Sequence, residues 1–84
     1  METRIAIIAV IVQAESESTA ELNSLLSRYS EYIIGRMGIP YRKKGVNIIS
    51  VAVDAPQDAI STLSGSLGRL PGISVKTAYA PAEV

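Results

Sequence analysis

The longest unbroken apolar run in the chain is Ile5 to Val12, inside RIAIIAVIVQ (residues 4–13). Its Ile and Val content, with no Gly or Pro, predicts a strand. Both alternating sets are apolar: Ile5, Ile7, Ala9 and Ile11 on one face, Ala6, Ile8, Val10 and Val12 on the other. A strand apolar on both faces is expected at the centre of a sheet, covered from both sides. SESTAELNSLLSRYSEY (residues 16–32) changes period. Leu22, Leu25, Leu26 and Tyr29 recur at i, i+3, i+4 and i+7, which predicts a helix with one buried stripe. Ser18 and Glu21 stand at capping-box spacing before that stripe. EYIIGRMGIPY (residues 31–41) predicts a second strand. Gly35, Gly38 and Pro40 place it at an edge, because Pro cannot donate to a ladder and Gly marks bends. RKKG (residues 42–45) makes the turn into VNIISVAVD (residues 46–54), where Ile49, Val51 and Val53 share one face. Val46, Ile48, Ser50 and Ala52 share the other.

A second helix comes next, with Asp54 as candidate N-cap, Pro56 in the tolerant first turn and Gln57 three residues after the cap. Ile60, Leu63, Leu67 and Leu70 form its buried stripe, and Pro71-Gly72 closes it. ISVKTAYA (residues 73–80) predicts the last strand, with Ile73, Val75, Thr77 and Tyr79 inward. Strand, helix, strand, strand, helix, strand is the split βαβ, ferredoxin-like order. Right-handed crossovers put both helices on one face of a four-stranded antiparallel sheet, with the first and third strands at its centre. The fold class is therefore α+β. The 84 residues form one domain, with its core at residues 4–80 and a tail at PAEV.

The helices cover one face only, yet both central strands are apolar on two. The second face is assigned Ala6, Ile8, Val10, Val12, Val46, Ile48 and Ala52. That is more exposed apolar surface than a monomer usually carries, so packing against another subunit is expected. Size points the same way. A core this small is marginal alone, and with no cysteine no disulfide can reinforce it. A homo-oligomer, dimer or tetramer, is the remaining means.

Composition then removes chemistry. With neither Cys nor His, the usual metal ligands, thiol nucleophiles and the commonest general base are missing. No metal and no cofactor is expected. The ten serines lie in no nucleophile elbow. Glu15, Glu17 and Glu21 read as a solvated helix start, not as an acid–base pair. No catalytic residue is assigned, and the expectation is a protein that is not an enzyme. GRMG and GSLGRLPG lack the pattern of a phosphate loop. Eight basic and eight acidic residues give a net charge of zero, which argues against nucleic acid as a partner of the isolated domain and against a membrane surface. The apolar run is too short to span a bilayer, and together with Met1 to Arg4 it lacks a signal peptide's length and cleavage region. A cytoplasmic protein is expected.

One stretch resists dismissal. YIIGRMGIPYRKKG (residues 32–45) holds three glycines, two tyrosines, two arginines, two lysines and no acid. Its solvated basic turn protects a sheet edge. It also suits a ligand site made of Gly35, Arg36, Gly38, Tyr41 and Arg42. The glycines would admit a ligand to the backbone, and Arg36, joined by the basic turn, would pair with an anion.

EYIIGRMGIPYRKKGVNIISVAVDA with LSGSLGRLPGISVKTA after it resembles the family named for a regulator of the iron-only hydrogenase system, over roughly residues 4 to 80. The resemblance implies an ACT-like fold, similar to the C-terminal ligand domain of the nickel-responsive repressor, and assembly into oligomers. It implies a regulatory or sensing module of anaerobic bacteria, linked by gene context to hydrogenase maturation. The repressor's metal site does not carry over, since its histidines and cysteine have no counterparts. QAESES (residues 13–18) stands where amino-acid-binding members carry glycines. With no DNA-binding part, such a regulator is expected to act as a ligand-sensing oligomer or through a protein partner. The alternative is a purely structural interaction module, with the same stretch as a subunit contact; direct DNA binding by the oligomer ranks behind both.

Overall fold

A computed structural model describes residues 2–84. The chain runs β1 (Arg4–Gln13), α1 (Thr19–Arg28), β2 (Ile33–Tyr41), β3 (Val46–Ala55), α2 (Gln57–Gly68) and β4 (Ile73–Tyr79). Short 3-10 turns at Ser30–Tyr32 and Arg42–Lys44 flank β2. The sheet order is β2-β3-β1-β4 and every pairing is antiparallel. This is the four-stranded α+β sandwich that the element order predicts, with β1 and β3 central. None of the described helices is long and apolar enough to cross a membrane.

The core lies between the sheet and the two helices. Leu22 and Leu26 of α1 and Ile60, Leu63 and Leu67 of α2 meet Ile8, Val10, Val51 and Val53. The expected stripe of α2 is buried through Leu67, with Leu70 half-buried against the cluster. Ile73 and Val75 face the same core from β4, as expected. Thr77 joins them through a hydrogen bond between its hydroxyl and that of Ser64 on α2.

The structure corrects the face assigned to β1. Ala6, Ile8, Val10 and Val12 are buried beneath the helices, with Ile8 and Val10 at 0 % exposure. They oppose Val53, Val51, Ile49 and Asn47 of β3. The open face of β1 carries Ile7, Ala9 and Ile11, opposite Ala52, Ser50 and Ile48. The assignment of Val46, Ile48 and Ala52 to the open face of β3 agrees with this register. The difference is one residue of register, which turns a whole strand over. Because both sets of β1 are apolar, period-2 reading alone cannot choose between them.

Both helix starts also differ from expectation. Ser18 precedes α1 but makes no side-chain cap. Its hydroxyl instead donates to the Pro71 carbonyl at 3.1 Å, and Ser16 Oγ donates to the same oxygen at 2.8 Å. A tertiary carbonyl engages the hydroxyl in place of the local N–H donors. Gly72 completes this clasp, with φ +76° and only 3.0 Å between a would-be Cβ and Ser16 Cβ. Any side chain there would be both strained and crowded. Asp54 does not cap α2, because β3 continues through Ala55 and Pro56 takes the cap position without a side-chain bond. A residue before proline is held out of the helical region, so the strand extends to Ala55. α1 ends sooner than its apolar stripe suggests. The Tyr29 N–H is shared between the Leu25 and Leu26 carbonyls, and the tightened turn leads into the 3-10 turn at Ser30.

Candidate functional site

β2 is the strand on which the sequence places a ligand site. Its alternation divides that site between two sides of the sheet. Gly35, Met37, Ile39 and Tyr41 oppose Ala52, Ser50, Ile48 and Val46, which places them on the open face. Arg36, Gly38 and Pro40 oppose Val51, Ile49 and Asn47, on the helix side. Arg42 lies in the 3-10 turn beyond the strand. Of Gly35, Arg36, Gly38, Tyr41 and Arg42, only Arg36 and Gly38 share a cavity. Arg36 turns away from the basic turn and donates from Nη2 to Asn23 Oδ1 of α1 at 3.3 Å.

On the helix side, α1 leaves part of β2 uncovered. A groove of about 260 Å³ opens there between α1 and the inner surface of β2 and β3. Val12, Leu22, Ile49, Pro40 and, at the outer edge, Ile39 supply apolar walls. Thr19, Asn23, Asn47 and Arg36 supply polar groups. Arg36 is the one charged residue of that lining, and among the described residues no carboxylate lines it. Gly38 forms part of the inner wall, where a Cβ would meet only Ile49 Cγ1 at 3.9 Å. Thr19 and Asn23 escape a reading of the sequence because only the crossover of α1 brings them beside β2, whereas Asn47 reaches the groove through its pairing with Pro40.

On the open face the uncovered residues form an apolar surface. Ile7 is 48 % exposed, Met37 61 %, Ile39 49 % and Tyr41 43 %. Ile11 and Ile48 join them, paired side by side across β1 and β3. Polar groups occur at Ser50, between Met37 and Ala9, and toward β4, where Lys76 opposes Ala9 and Ser74 opposes Ile11. Scattered apolar residues are ordinary on a protein surface, but neighbours on adjacent strands make a continuous patch. Met37, Ile39 and Tyr41 are legible in the sequence as one period-2 set, although the glycines and arginines between them are the more conspicuous members of β2.

A family model described as "TM1266-like: Iron-only hydrogenase system regulator, putative" matches residues 4–77. The solved structure of an uncharacterized protein, TM1266 from Thermotoga maritima, is similar at 34 % identity and a TM-score of 0.91. The match covers 95 % of this chain and 100 % of that one. A formyltetrahydrofolate deformylase from Pseudomonas putida KT2440 is similar at 17 % identity and a TM-score of 0.62, covering 92 % of this chain and 29 % of the deformylase. That likeness is one of fold. No curated protein matches the chain.

Proposed function

The chain belongs to the TM1266-like family, and on that premise we propose that it is a regulatory module of the iron-only hydrogenase system that works as a homo-oligomer. The family description supplies the system, and the uncovered sheet face supports the assembly. That face carries Ile11, Ile48 and Ile39 in one row across β1, β3 and β2, with Met37 and Tyr41 on either side of Ile39 and Ile7 beyond Ala9. A second copy of the chain is the occupant that suits it. Two copies at a net charge of zero do not repel, and the patch contains the Met and Tyr side chains common at interface centres. Burial there also reinforces a domain whose own core is small.

Size-exclusion chromatography with light scattering tests this reading. The wild-type chain is expected at twice its 8.9 kDa mass or a higher multiple. Ile48→Glu is expected at the mass of one chain, still folded by circular dichroism. A wild-type protein that stays at one chain's mass at its highest attainable concentration removes the proposal. Tyr41 on the open face also favours the purely structural reading, since Tyr is a frequent interface anchor. That reading predicts assembly with no response to any small ligand.

A further inference from the structure

We propose that the groove between α1 and β2 binds a small monocarboxylate with a short apolar body, its carboxylate on Arg36 and its tail along Leu22, Ile49 and Gly38. The inference rests first on charge. Arg36 stands exposed at the mouth of the groove, where its charged end can meet a ligand arriving from solvent. Its hydrogen bond is a long one, to the neutral amide oxygen Asn23 Oδ1, and among the described residues no carboxylate lines the groove. Its fork of donors suits a carboxylate held through two oxygens. The charge count limits the ligand to one negative charge. Among the described residues Arg36 is the single cation of the lining, while Arg42, Lys43 and Lys44 belong to the turn and do not line it. A phosphate dianion would lack a second cation.

Space and shape carry the rest. Gly38 is not required by the backbone, for its φ is not positive and a Cβ there would meet nothing closer than 3.9 Å. A Cβ there fits the strand, and a longer side chain built on it would enter the groove. The missing side chain therefore serves the cavity. At about 260 Å³ the cavity lies just below the usual range for ligand pockets, so the ligand is small. Thr19, Asn23 and Asn47 offer neutral hydrogen bonds around the charged end. The proposal names a ligand class for the regulatory reading but does not depend on self-association, since the groove opens on the helix side of the sheet and borders the open face at Ile39.

Titration of the nitrogen-15-labelled chain with hexanoate, monitored by amide shifts, tests it. Saturable shifts are expected at Gly38, Asn23 and Asn47, with the Arg36 Nε–H moving with them. Arg36→Gln is expected to weaken hexanoate at least tenfold. Gly38→Leu is expected to abolish binding by filling the groove while the other resonances keep their positions. Hexanamide, which has the same body without the charge, is expected not to bind. No saturable shift at these residues overturns the proposal, and so does equal binding by both variants. Inorganic phosphate moving the same amides with the affinity of hexanoate also overturns it, as a non-specific anion patch. Oligomer mass is measured separately, so failure of the groove and failure of the assembly can be told apart.

Discussion

Ile8 and Val10 lie under two helices, while Ile7 and Ile11, from the same strand, lie open on the other side of the sheet. The side chains are of one kind and the strand is the same; only the covering differs. On the closed side, α1 and α2 remove the apolar surface from water within one chain. On the open side none of the described residues does so, and the proposed second copy takes the helices' place. A residue's worth on this sheet therefore depends on what covers it, and burial inside the chain should affect folding where burial on the open side affects association.

The largest expected effect breaks this comparison at its centre. Ile8→Ala should destabilise the chain by about 2–5 kcal/mol, the range for emptying a packed apolar site, read as a lower midpoint in urea. Ile7→Ala, measured on a monomeric background such as Ile48→Glu, should cost well under that, because no cavity forms on a surface open to water. Equal losses at the two positions would mean that the open face is packed within a single chain. Next in size is Ile48→Glu itself. A carboxylate at the middle of an apolar interface should weaken self-association by roughly 100-fold, read as a shift of the concentration at which the oligomer dissociates. Little change would place the contact elsewhere, such as the exposed edge of β2.

A smaller effect separates the groove from both faces. Gly38→Leu should leave stability unchanged or raise it by about 0.4–1 kcal/mol, since a strand glycine with ordinary φ costs entropy that any side chain reduces. A fall in melting temperature would show that Gly38 is needed for the fold, not for the cavity. The smallest effect concerns β2 as a link. Its inward residues line the groove, and its outward residue Ile39 borders the groove while lying with Met37 on the open face, so hexanoate should change the self-association constant by about fivefold, near the lower end of typical site couplings. An unchanged constant would make the two sides of the strand independent.

Much of the fold is legible in the residues alone. The period-2 and period-3.6 patterns locate every strand and both α-helices, with β1 at Arg4–Gln13 and the Ile60, Leu63, Leu67 stripe in place. Gly35, Gly38 and Pro40 mark β2 as an edge, and the family resemblance agrees with the match over residues 4–77. The site is less legible. Arg36 and Gly38 can be named, but not their separation from Gly35, Tyr41 and Arg42, because a strand sends neighbours to opposite sides. Ser18 and Asp54 have good local capping chemistry, and tertiary contacts in one case and a proline two residues on in the other override it.

By itself, then, the sequence determined the order and type of the elements, because hydrophobic period is a local property of the chain. It also determined which chemistries are unavailable, because Cys and His are absent. Only the tertiary structure decided which side of β1 is covered. Both of its faces are apolar, and the choice depends on partners more than thirty residues away, where Ile8 meets Val51 and Val10 meets Ile49. It likewise decided that Arg36 faces Asn23 across a groove and not the basic turn nearby in sequence. A side chain's direction depends on strand register and helix crossover, and both are fixed by contacts distant along the chain.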